Sequence, residues 1–184
     1  MFMRSPIKPI RRDYKFFLDS KKAHNWNGAG LHWSQFLNTL SVFFPEGEKF
    51  FINSVRFYRD QITDSELKES IKGFIAQEGM HTREHVSYNK ALAAAGMPID
   101  ELESIVKQSL KFASKTFSPQ LQLATTIALE HITAILADIL LADPVFLQNS
   151  DTEYASLWKW HAKEETEHKS VAFDVYESVI GKGF

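Results

Sequence analysis

The pattern Glu-x-x-His occurs twice, at Glu78 and His81 and again at Glu165 and His168. It narrows the choice of fold more than any other feature of the chain. Residues three or four apart share one face of an α-helix, so each copy sets a carboxylate and an imidazole side by side. Both copies fall on stripes that are otherwise largely apolar. The first stripe reads Ile71, Phe74, Glu78, His81, His85, Tyr88 and Leu92; the second reads Tyr154, Trp158, His161, Glu165, His168, Ala172 and Val175. An unpaired polar group on the driest face of a helix costs on the order of 2–7 kcal/mol. A chain that folds this way must supply these groups with partners.

Two further helices each add one carboxylate to such a stripe. Phe44, Glu48, Phe51, Val55, Tyr58 and Ile62 recur at helical spacing, and Pro45-Glu46-Gly47 predicts a kink or restart near the head of that run. Leu123, Ile127, Glu130, Ala134, Ala137 and Leu141 follow the start signal Ser118-Pro119 and stop before Asp143-Pro144. Thr63-Asp64-Ser65-Glu66 and Ser150-Asp151-Thr152-Glu153 read as capping boxes that open the two motif helices. The first motif helix should stop at Gly96, and the second should run on to near Gly181. Between the hairpins, Pro98 to about Ala113 reads as a shorter helix without candidate ligands, long enough to return the chain to the same end of a bundle. The expected fold is therefore all-α: a ferritin-like four-helix bundle over residues 30–184 with a crossover helix. An N-terminal arm precedes it over residues 1–29, broken by Pro6, Pro9, Gly28 and Gly30 and expected to pack over the bundle.

One carboxylate from each of two helices, plus Glu-x-x-His from each of two others, is the ligand set of dimetal carboxylate bundles. The expected metal ligands are Glu48, Glu78, His81, Glu130, Glu165 and His168. His161 and His85 stand one turn from the motifs and are expected as additional ligands or as donors behind the ligands; Glu78 and Glu165 are expected at the reacting centre. His131 lies off the stripe and reads as a core or supporting group. The implied cofactor is two divalent metal ions. Iron is the first choice and manganese or zinc stay open, because the affinity order of divalent metals does not select among them. A rival pattern, His81-x-x-Glu84-His85, has the inverted zinc-peptidase form. It would leave Glu48, Glu78, Glu130 and His168 without a purpose, and it places Glu84 off the stripe.

The 184 residues contain no cysteine, which excludes disulfides, thiolate metal sites and cysteine nucleophiles. A net charge of −2 favours no nucleic acid, and no phosphate loop or nucleophile elbow is present. No run of apolar residues reads as a membrane span, and no signal-peptide pattern opens the chain, so a cytoplasmic location without membrane contact is expected. The expected partners are a small-molecule substrate, an electron-donor protein and a second copy in a homodimer.

The strings Phe44-Pro45-Glu46-Gly47-Glu48, Gln77-Glu78-Gly79-Met80-His81 with His85, and Trp160-His161-Ala162-Lys163-Glu164-Glu165-Thr166-Glu167-His168 resemble the bacterial family called predicted metal-dependent hydrolase. That family is grouped with the ferritin-like superfamily, and the likeness runs from about Arg11 to the end of the chain. The pattern His161-x-x-x-Glu165-x-x-His168 is also similar to the ligand helix of di-iron arylamine N-oxygenases, which carry an additional histidine. Residues and resemblance together leave three functions open. The first is a di-iron oxidase or oxygenase that activates dioxygen on an apolar or aromatic small molecule. The alternative is a metal-dependent hydrolase using a metal-activated water at the same site. The third is a non-catalytic metal-binding or storage bundle.

Overall fold

A computed structural model of the chain describes residues 8–181. Residues 1–7 of the expected arm lie outside the described residues, as do residues 182–184. The described residues are helical with no strand: α1 (Leu31–Tyr58), α2 (Ser65–Ala94), α3 (Ile99–Thr116), α4 (Pro119–Ala142), α5 (Thr152–His168) and α6 (Val171–Val179), with short 3-10 turns between some of them. Helix α1 pairs with α2 and α4 pairs with α5. Contacts of α1 with α4 and of α2 with α5 and α6 close the four around one interior. Helix α3 lies across α1 and α2 as the connection between the two pairs.

The caps explain the starts and stops. Asp64 and Asp151, not the Thr63 and Ser150 that the capping boxes imply, are the N-caps. Asp64 accepts from the Leu67 amide, and Asp151 accepts from the amides of Glu153 and Tyr154. Ser118 caps α4 through the Leu121 amide, with Pro119 as first helical residue. Helix α2 ends in a Schellman turn: Gly96 takes φ +86°, its amide reaches the Ala93 carbonyl, and the Met97 amide reaches the Leu92 carbonyl.

Three features differ from the sequence expectation. Helix α1 is continuous through Pro45. A proline there leaves the carbonyl four residues back, that of Ser41, without its helical donor; the Asn89 side-chain amide of α2 donates to that carbonyl at 3.1 Å. The last helix is not continuous, because Lys169 and Ser170 separate α5 from α6 just after His168. Helix α4 is long and apolar enough, by length and composition, to cross a membrane, against the expectation that no segment is. Its Glu130 is buried while Ile132, Ile135 and Ile139 are exposed.

The apolar core is divided in two. One cluster gathers Trp26, Leu37, Val42, Tyr88, Leu92 and Trp158; the other gathers Phe51, Val55, Ile71, Phe74, Leu123 and Val175. Along α2, the residues between these clusters are Gln77, Glu78, His81, Glu84 and His85, all buried. The described arm packs across the bundle. A Cβ at Gly73 would stand 2.6 Å from the Pro9 carbonyl oxygen, so α2 carries no side chain where the arm crosses it. Further on, Trp26 stacks on Tyr154 at 5.1 Å.

Candidate metal centre

Four helices bring the predicted groups together. Glu48 comes from α1, Glu78, His81 and His85 from α2, Glu130 from α4, and His161, Glu165 and His168 from α5. All eight are buried, none more than 4 % exposed. His168 Nε2 lies 3.5 Å from Glu78 Oε1, 3.4 Å from Glu130 Oε2 and 3.5 Å from Glu165 Oε1. His81 Nδ1 lies 3.6 Å from Glu78 Oε2 and 3.6 Å from Glu165 Oε1. His161 Nε2 lies 3.1 Å from Glu165 Oε1. The donor atoms fall into overlapping sets, each within 4.8 Å: Glu78, Glu130 and His168; Glu48, Glu78 and His81; His81, His161 and Glu165; and Glu48, His85 and His161. Glu78 belongs to the sets around both His81 and His168, and Glu165 approaches both imidazoles.

The buried side-chain atoms without a hydrogen-bond partner, among the described residues, all belong to this cluster. They are Glu48 Oε1, both oxygens of Glu78 and of Glu130, His81 Nδ1, His161 Nε2 and His168 Nε2. Glu78 and Glu130 could satisfy one another only by sharing a proton. Fully buried polar atoms are otherwise almost always paired, so the interior presents a set of oxygen and nitrogen donors that lacks its acceptor. Carboxylate oxygen and imidazole nitrogen are the donors that suit divalent iron, manganese and zinc.

Surrounding side chains fix which nitrogen faces the centre. His81 Nε2 donates to Glu164 Oε2 at 3.1 Å, which leaves the Nδ1 lone pair inward. His168 Nδ1 donates to Gln77 Oε1 at 2.9 Å, which leaves Nε2 inward. A chain of bonds orients His161. The Ser41 hydroxyl donates to Asn89 Oδ1 at 2.8 Å and so accepts from His85 Nδ1 at 2.9 Å. His85 Nε2 is then the acceptor for His161 Nδ1 at 2.8 Å, and His161 Nε2 keeps its lone pair for the centre. Both ring nitrogens of His85 are engaged in this way, and the ring holds His161 in place. The Asn89 at the head of this chain is the residue that covers the carbonyl freed by Pro45.

The arm completes the outer layer. Arg12 pairs with Glu167 at 2.7 Å and with Glu164 at 3.1 Å, and Gln77 Nε2 donates to Glu167 Oε2 at 2.8 Å. Trp160 Nε1 donates to Glu164 Oε1 at 2.9 Å. Arg12 thus anchors Glu164, which steers His81, and reaches His168 one step further out, through Glu167 and Gln77. Thr82 donates to Glu48 Oε2 at 2.9 Å.

Burial disfavours charge throughout, and the groups divide by what opposes it. Burial, with Glu78 adding to it, raises the Glu48 carboxyl well above its ordinary value. It pushes Glu78 up to about 8 and raises Glu130 far above the usual range, both against the pull of His168. Burial also lowers His161 to about 4, and it depresses His81 and His85. Two groups go the other way. Burial opposes the charge on Glu165 and on His168, but their mutual attraction more than offsets it: Glu165 is held well below the carboxylate range and His168 is pushed up to about 10. Without cations the cluster keeps itself together by holding protons.

Glu84 is buried but turned to the arm, accepting from the Phe16 amide at 3.0 Å and from Arg83 Nε at 2.6 Å. It cannot serve as the base of an His81-x-x-Glu84-His85 peptidase site. His131 is exposed and takes no part. Sequence inspection missed Arg12, Gln77, Thr82, Glu164, Glu167, Ser41 and Asn89 as supporting groups. Glu164 and Glu167 carry a signal, because acidic residues three apart on a buried helix flank Glu165 and His168; the others carry none.

A family model described as predicted metal-dependent hydrolase matches residues 10–184. No curated protein and no solved structure matches the chain.

Proposed function

The chain belongs to the predicted metal-dependent hydrolase family, and on that premise we propose that its buried cluster binds two divalent cations in a ferritin-like frame and carries out hydrolysis. The carrying observation is the set of inward-facing donor atoms left without partners. Glu48, Glu78, His81, Glu130, His161, Glu165 and His168 would hold the cations. Four carboxylates then offset the charge of two dications, and protons on Glu48, Glu78, Glu130 and His168 leave as the metals enter. A cation bound here lowers the pKa of a coordinated water and polarises a carbonyl or phosphoryl oxygen.

The chain's own residues do the rest. Of the two carboxylates expected at the reacting centre, Glu165 lines the large cleft beside the site and Glu78 does not. Glu165 would be the ligand carboxylate that faces a substrate in that cleft. His161 shares its position at the cleft's buried end. Arg12, Gln77 and Glu164 keep the ligand imidazoles in register.

The test is metal analysis with an ester and phosphoester panel on the loaded protein. Two metals per chain and hydrolysis abolished by chelation support the proposal; a protein that retains neither metal nor activity sinks it. A second reading, dioxygen activation, draws on one observation, the carboxylate-rich set with paired Glu-x-x-His that typifies di-iron bundles. An oxygen-dependent absorption change after anaerobic reduction, with no hydrolysis, would favour it.

A further inference from the structure

Beside the centre, a cleft of about 730 Å³ opens between α1, α3, α4 and α5. It lies within the span of about 300–1,000 Å³ usual for small-molecule sites. Its inner wall includes Leu37, Val42, Phe51, Val106, Ala137 and Trp158, all buried. Its rim is exposed and apolar, with Phe36, Phe43, Ile105, Ile132 and Ile139 among its residues. Three wall residues carry hydroxyls, and each is turned back into its own helix. Thr39 donates to the Gln35 carbonyl at 2.8 Å, Ser109 to the Ile105 carbonyl at 2.9 Å and Thr133 to the Glu130 carbonyl at 3.1 Å. None of the described lining residues is Lys or Arg. The charged or unpaired polar groups facing the cleft are therefore at its buried end: Glu165 and His161, whose Nε2 lies 3.1 Å from Glu165 Oε1 without forming a hydrogen bond.

We propose that this cleft holds the hydrocarbon chain of a neutral, long-chain aliphatic ester, with the ester group at His161 and Glu165. The proposal rests on the hydrolytic reading and names its substrate class. The shape of the polarity carries it: one polar point at the bottom of a long apolar wall matches a molecule with one polar head and one apolar tail. No Lys or Arg lines the wall, so the part of the molecule lying along it is uncharged. In the reaction, water supplies hydroxyl to the acyl carbon and a proton to the departing alkoxide. The acyl C–O bond breaks, and a carboxylic acid and an alcohol are released with no change of oxidation state.

The experiment uses the metal-loaded full chain and two readouts. The first is kcat/KM on para-nitrophenyl esters from butyrate to palmitate. The second is the affinity of straight-chain alcohols, from butanol to dodecanol, by calorimetry, which needs no turnover. Each added methylene should raise kcat/KM and affinity about fourfold until the cleft is full. Ala137→Phe, which narrows the wall, should move the optimum to shorter chains. Ile132→Glu, at the exposed rim where the fold tolerates charge, should weaken long-chain binding selectively. Chain-dependent alcohol affinity without ester hydrolysis would uphold the cleft's role and overturn the hydrolytic reading alone. Hydrolysis or binding indifferent to chain length would overturn the cleft proposal. So would light scattering that shows Ile132→Glu splitting a dimer while leaving the chain-length profile flat.

Discussion

Stripping the cations should make stability fall as pH rises above neutrality, a slope that largely disappears once they are bound. In the metal-free cluster Glu78 titrates at about 8 and His168 at about 10, against ordinary values of about 4.3 and 6.5 in the unfolded chain. Both folded values are raised, so between the unfolded and folded pKa the native state binds more protons and stability drops with each increment of pH. From pH 6.5 to 8, Glu78 and His168 together remove about 3 kcal/mol, taking 1.36 kcal/mol per unit and allowing for partial titration at the ends. Glu48 and Glu130 are raised as well and act in the same direction. Below about pH 6.5 the lowered His81, His85 and His161 oppose this trend, since there the unfolded chain takes up protons that the folded one refuses. For a chain of this size the loss corresponds to a Tm decrease of roughly 6–12 °C. Circular dichroism melts of chelator-treated protein between those pH values measure it directly. Protein reloaded with two equivalents of divalent metal should show a much flatter profile, because the same groups are already deprotonated and bound. A metal-free Tm that stays level or rises over this range would refute the assignment of these carboxyls to a common buried centre.

Other outcomes follow from the same geometry. His81→Ala should empty at least one metal position, read by inductively coupled plasma analysis; full occupancy would remove His81 from the ligand set. Arg12→Ala leaves Glu164 and Glu167 buried without their cation, and metal affinity should weaken by about 10–100-fold, as loss of an outer-layer group does elsewhere; competition titration with a chromogenic chelator checks it. Asn89→Ala strands the Ser41 carbonyl that Pro45 has freed and loosens the bonds to His85; a loss of about 1–3 kcal/mol is expected in urea unfolding. Phe74→Ala, at a site with no exposure between the cluster and the core, should cost about 3–5 kcal/mol by the same measurement.

The helices and most of the inward-facing carboxylates and imidazoles are legible in the sequence because they depend on local periodicity. An Asp or Ser caps its own helix, Gly96 ends α2 through its own φ, and a charged residue on an apolar stripe must face the interior wherever that stripe is buried. Hence Glu48, Glu78, His81, Glu130, Glu165 and His168 were identifiable before any coordinates, and His161 and His85 as neighbours one turn away. What the stripe could not reveal was the division of labour between those two imidazoles. His85 turns both nitrogens to Ser41 and His161, and that depends on a hydroxyl from another helix. The continuity of α1 through Pro45 was hidden for the same reason, since its compensation comes from Asn89 of α2.

Spacing along the chain sets side-chain direction on a helix, and that alone turns carboxylates and imidazoles of four helices toward one interior. Which nitrogen of each imidazole looks inward, the anchoring of the outer layer by Arg12 of the arm, and the apolar cleft that ends at Glu165 and His161 come from the packed fold. Those outcomes depend on contacts between residues far apart in the chain. Spacing fixes a direction within one helix, but where two helices meet is settled by how all of their faces pack at once.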